Sequence, residues 1–115
     1  MEDNEKLTHY LYGPEKEMLS LWKTLVETES GPKQPTGVES VRSLLAGELA
    51  AMGFTIRLQK VSGAPDLLIA ERGKEEGEGP IILSGHMDTV FPEGKASTCP
   101  FFIDEEGYAH GPGVL

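Results

Sequence analysis

The sequence predicts an α/β fold with helices packed on a sheet, and three observations carry that prediction. Apolar residues recur at helical spacing twice in the first half of the chain. Phe54-Thr55-Ile56-Arg57-Leu58-Gln59-Lys60-Val61 then alternates apolar and polar residues, the pattern of a half-buried strand. Pro80-Ile81-Ile82-Leu83-Ser84-Gly85 follows as a short, continuously apolar run, as expected of an interior strand covered on both faces. The chain has 115 residues, which allows one ordinary domain and leaves little room for a second.

The first thirteen residues are polar except for Leu7, Tyr10 and Leu11, and predict a short, fraying helix. Pro14 sits where a helix can begin, because its missing N–H costs nothing in the first turn. Met18, Leu21, Trp22, Leu25 and Val26 then mark one helical face, with Glu15 and Glu17 placed to favour the helix dipole. A helix from about Glu15 to Glu29 is expected, with its Met and Trp stripe in the core. The Gly- and Pro-rich stretch from Ser30 to Gly37 reads as a loop. Val38, Val41, Leu44, Leu45, Leu49 and Met52 form the second helical pattern. Thr36 and Glu39 are spaced for a capping box, and Gly53 suits a left-handed C-cap.

Ser62-Gly63-Ala64-Pro65 predicts a turn and Asp66–Ala70 a second strand. Arg72 through Gly79 reads as a charged tip between strands, and its Glu75, Glu76 and Glu78 as solvated side chains. Phe101–Asp104 and Tyr108–His110, flanking Glu105-Glu106-Gly107, predict a small hairpin. The order is helix, helix, strand, strand, strand, hairpin, with no internal repeat, which fits helices packed on a sheet.

The net charge of −9, from 19 acidic against 10 basic residues, argues against nucleic acid and anionic membrane as partners, since both are held by positive charge. The single cysteine, Cys99, excludes an internal disulfide and fits a reducing compartment. The acidic N-terminus is not a secretory signal, and no apolar run is long enough to span a bilayer. A cytoplasmic protein is expected.

Chemistry is expected at the end of the apolar run, in Ser84-Gly85-His86-Met87-Asp88-Thr89-Val90. Residues two apart in extended chain point to the same side, so His86 and Asp88 address one site. Two readings are open. His86 ligates a metal while Asp88 accepts a hydrogen bond from its other ring nitrogen, or both are polar residues that cap a strand. Other candidates are weaker. His9 is expected in solvent, His110 as a strand or loop residue, and Cys99 as a small buried or semi-exposed thiol with no base beside it. Ser84 lacks a nucleophile elbow, and Gly111-Pro112-Gly113 lacks the companions of a phosphate loop.

The run Ser-Gly-His-Met-Asp-Thr-Val-Phe-Pro-Glu-Gly (84–94) resembles the first metal-site motif of the M20 family of zinc metallopeptidases. Pro100-Phe101, Asp104, Gly107-Tyr108 and Gly111-Pro112-Gly113-Val114 resemble the segment that leads to the family's second metal ligand. The combination is most similar to the glutamate carboxypeptidase branch, and the likeness runs roughly from Glu15 onward. The resemblance implies that residues 1–115 are the N-terminal portion of one three-layer α/β/α catalytic domain, truncated and without its lid or dimerisation domain. His86 would then be a zinc ligand and Asp88 the catalytic carboxylate that orients and polarises it. In the family an Asp bridging two zinc ions follows one residue after Gly-Pro-Gly-Val. Here that intervening residue is Leu115, so the bridging Asp, the general-base Glu and the later ligands are expected to be missing.

The implied reaction is hydrolysis of a peptide or N-acyl-amino-acid amide, with this chain alone inactive. The alternative is a non-catalytic remnant that binds a partner or associates with itself through open sheet edges.

Overall fold

The computed structural model describes residues 2–73, 77 and 79–114. The expected solvated side chains of Glu75, Glu76 and Glu78, and Leu115, lie outside the described residues. The chain divides into two units, Glu29–Gly94 and Met1–Thr28 with Lys95–Leu115. The class is α/β, as expected. Among the described residues no helix is long and apolar enough to cross a membrane.

In the Glu29–Gly94 unit the long helix starts earlier than the sequence predicts. Helix α3 (Pro35–Ala51) has Gln34 as its N-cap and Pro35 in its first turn. The Gln34 carbonyl accepts the N–H groups of Gly37 and Val38, at 3.0 and 3.2 Å. The capping box expected from Thr36 and Glu39 does not form. Proline's fixed φ already suits the first helical position, so Thr36 lies inside the helix, where its carbonyl accepts the Ser40 hydroxyl at 2.9 Å.

The far end follows expectation. Gly53 takes φ +88°, donating to Ala50 O at 3.0 Å while Phe54 donates to Leu49 O at 3.0 Å. These two bonds are the Schellman pair that satisfies the last carbonyls of a helix.

Strands β1 (Thr55–Val61) and β2 (Ala64–Glu71) form an antiparallel hairpin through Ser62 and Gly63. The register shifts between Gln59 and Val61, opposite Pro65, which has no N–H to give the ladder. Helix α3 packs on this hairpin. Val38 and Val41 are buried beneath it, and the Arg42 guanidinium reaches the Asp66 carbonyl at 3.4 Å.

The expected interior strand at 80–85 is not a strand. Ile81, Ile82 and Leu83 are 93, 80 and 93 % exposed, and β1 and β2 pair only with each other. A buried strand is defined by the ladder bonds of its neighbours. Among the described residues none pairs with this segment, so its apolar composition alone does not make it a strand.

In the other unit, α1 (Glu2–Tyr12) forms the short N-terminal helix, with Leu7, Tyr10 and Leu11 all exposed. Helix α2 (Glu15–Glu27) ends two residues before the predicted limit. Its Trp22 meets the buried Phe101 edge to face at 5.3 Å between centroids, a favoured aromatic geometry. Met18 and Trp22, both expected in the core, are exposed. A four-residue helix, α4 (Lys95–Thr98), is not foreseen in the sequence.

The predicted hairpin forms as β3 (Phe102–Ile103) and β4 (Ala109–His110). Asp104 organises its turn. One carboxylate oxygen accepts the N–H groups of Glu106 and Tyr108 at 3.0 and 2.9 Å, and the other accepts His110 Nε2–H at 2.7 Å. The His110 ring stacks on Phe102 at 4.6 Å. Gly107 closes the turn at φ +89°.

Two outcomes follow from this packing. Val41→Ala removes one of the few buried side chains under α3 and lowers unfolding stability by about 2 kcal/mol. Val90→Ala, at an exposed position, changes it by less than about 0.5 kcal/mol, and urea denaturation compares the two.

The hydrogen bond from His110, together with those from Tyr108 and Glu106, holds the Asp104 carboxyl below the ordinary aspartate range. A lowered folded-state pKa stabilises the hairpin above the unfolded value, and that stability is lost as pH falls through the folded value. Carbon-13 NMR of the Asp104 carboxyl is expected to titrate below an ordinary aspartate. His110→Ala should move it upward, because it removes the largest cause.

Candidate functional site

His86 and Asp88 lie in the stretch after β2 that has no regular secondary structure. The site is therefore positioned by loop contacts and not by a sheet edge. The turn after α2 supplies those contacts. Ser30 is almost fully buried, and its carbonyl accepts the Thr89 N–H at 2.9 Å. A Cβ on Gly31 would collide with the Phe91 carbonyl oxygen, so the two main chains approach as closely as only glycine permits.

Gln34 holds this turn in shape. Its side chain accepts the Gly31 N–H and donates to the Glu29 carboxylate, both at 2.9 Å. Its main-chain N–H meets the Gly31 carbonyl at 3.0 Å. On the other side of the turn, a Cβ on Gly37 would strike the Glu29 carbonyl. Residues 29–31 are thus held between the first turn of α3 and residues 89–91.

The structure brings the two predicted site residues together. His86 Nδ1 lies 2.8 Å from the Asp88 main-chain oxygen and 3.4 Å from its carboxylate. Both neighbours are acceptors only, so Nδ1 carries the proton and the Nε2 lone pair is left for another partner. The nearer acceptor is the main-chain carbonyl, whereas the spacing pointed to the side chain. Both side chains are open to solvent, at 84 and 66 % exposure.

His110 is bonded within its own hairpin, and Cys99 is an exposed free thiol. Gly111 to Val114 is a turn closed by Val114 N–H to Gly111 O at 3.1 Å.

A protein zinc centre takes three or four nitrogen, oxygen or sulfur ligands. Among the described residues no group of three or more His, Cys, Asp or Glu is placed to hold one ion. The described residues therefore do not make a whole metal site.

Sequence reasoning missed Ser30, Gly31, Gln34 and Gly37. Composition marks Ser30 to Gly37 only as a loop, whereas Pro35 to Gly37 begin α3.

No family model matches the chain. Curated relatives do. It is 33% identical over 94 residues to carboxypeptidase G2 of Pseudomonas sp. (strain RS-16), covering 78% of this chain and 22% of that protein. It is 37% identical over 97 residues to acetylornithine deacetylase of Vibrio cholerae serotype O1, covering 80% and 25%. With acetylornithine deacetylase of Yersinia pseudotuberculosis the identity is 32% over 100 residues, covering 78% and 26%. The chain spans about a quarter of the length of these relatives. By this similarity to a carboxypeptidase and to deacetylases, both hydrolases of one family, the chain belongs to the M20 metallopeptidases.

Proposed function

We propose that this chain is the N-terminal portion of the catalytic domain of a zinc-dependent M20-type hydrolase. The substrate class is a peptide or N-acyl-amino-acid amide, and the location is cytoplasmic, in keeping with a single exposed free thiol. The observation that carries the reading is the His86–Asp88 turn. The bond at Nδ1 fixes the ring and leaves Nε2 available, the arrangement that second-sphere acceptors impose on metal-binding histidines. His86 is assigned as a zinc ligand and Asp88 as the residue that holds it.

When bound, paired zinc ions supply Lewis-acid polarisation of an amide carbonyl and lower the pKa of a water. This chain's own part is narrower. His86 presents one nitrogen in a fixed tautomer. Asp88 accepts the proton-bearing side of the ring. The other ligands and the general base belong, on this reading, to the roughly three quarters of the relatives' length that the chain does not match. The chain alone is therefore assigned no catalytic competence.

The exposed run Ile81-Ile82-Leu83 favours a second reading, a non-catalytic module that binds a partner or a second copy along this segment.

Supplied with zinc and an N-acyl-glutamate or a dipeptide, the purified chain is expected to show no zinc-dependent hydrolysis. In a polypeptide that continues the chain with M20 sequence, hydrolysis is expected, and Asp88→Asn should weaken metal affinity about 10–100-fold. Turnover by the chain alone would overturn the assignment of incompetence. An inactive, zinc-free continued polypeptide would favour the second reading.

A further inference from the structure

We infer that the Ser30–Gly31 turn, held in shape by Gln34, is a positioning device that sets the His86 ring. The inference rests on the reading of His86 as a ligand only for its functional consequence, since its geometry stands apart from any metal.

Among the described residues the segment carrying His86 and Asp88 has no ladder partner, and the run before it, residues 81–83, is bare to solvent. Ordering such a segment costs backbone entropy that a fixed contact must offset. Thr89 N–H to Ser30 O at 2.9 Å ties the segment to the turn. Thr89 follows Asp88 directly, so this bond fixes the plane of the Asp88–Thr89 peptide. That same peptide carries the carbonyl that accepts from His86 Nδ1. One peptide unit therefore donates to Ser30 and accepts from His86. Any shift of the turn at residue 30 rotates the acceptor that selects the imidazole tautomer.

The glycines make this contact possible. Gly31 permits the approach to Phe91, and Gly37 permits the approach of Glu29 to α3. Gln34 locks the turn through its bonds to Gly31 and Glu29, and its carbonyl begins α3. The position of the His86 turn is thus referenced to the N-terminus of a helix with buried residues Val38 and Val41. Gly31 and Gln34 are positioning residues, because they reach His86 only through the Asp88–Thr89 peptide.

The test uses the 115-residue chain without metal. In the parent chain the Thr89 amide should exchange about tenfold or more slower than that of Val90. Nitrogen-15 shifts of neutral His86 should report the Nδ1–H tautomer. Gly31→Ala should abolish the Thr89 protection and move the ring toward the tautomer mixture of a solvated imidazole. Gly47→Ala, on an open helix face, should change neither. Gln34→Ala adds no bulk and should lower the Thr89 protection even if Gly31→Ala fails to fold.

The inference is overturned if the parent Thr89 amide exchanges as fast as Val90. It is also overturned if a folded Gly31→Ala variant keeps the parent tautomer, a readout that a purely structural role for Gly31 would leave in place. Neither readout involves zinc or turnover, so loss of the M20 ligand reading would leave both results standing.

Discussion

The candidate site depends on one main-chain contact, the hydrogen bond from Thr89 to Ser30. Most ligand-bearing segments in α/β proteins are held by strands, whose ladders fix many peptides at once. Here the segment before His86 has no ladder among the described residues, and the Asp88–Thr89 peptide ties the site residues to the turn between α2 and α3. That turn is itself held by the side chain and main chain of Gln34 and by two glycines. The helix start, the loop and the imidazole form one connected set.

What the sequence revealed was mainly local. Helix α3 and its Gly53 cap follow from apolar spacing and from glycine's access to positive φ. The hairpin at residues 102–110 follows from a turn sequence and from Asp104, whose carboxylate reaches groups two to six positions away. These features require no distant partner. The segment at 80–85 is different, because an apolar run becomes a strand only when other strands pair with it. Its composition was read correctly as apolar, but not its state in this chain.

The site shows the same division. His86 and Asp88 were visible as a two-residue spacing, and the structure does bring them together. The nearer acceptor is the Asp88 main-chain oxygen, which every residue type possesses and which no sequence pattern can single out. The supporting roles of Ser30, Gly31 and Gln34 were invisible for a related reason. Ser30 and Gly31 act across nearly sixty residues through backbone atoms, and Gln34 acts on that turn through an amide that no motif marks. Gly37 reads as a loop glycine in the sequence, but it lies in the first turn of α3 and meets the Glu29 carbonyl.

Among the described residues there is one oriented imidazole and no group of three metal ligands, so family membership and catalytic competence are separate matters. Calorimetric titration of the 115-residue chain with zinc tests this most directly. The account predicts no tight binding at a defined stoichiometry, since one nitrogen ligand falls short of the three or four that a protein zinc site uses. Tight binding of one ion or more per chain would contradict it.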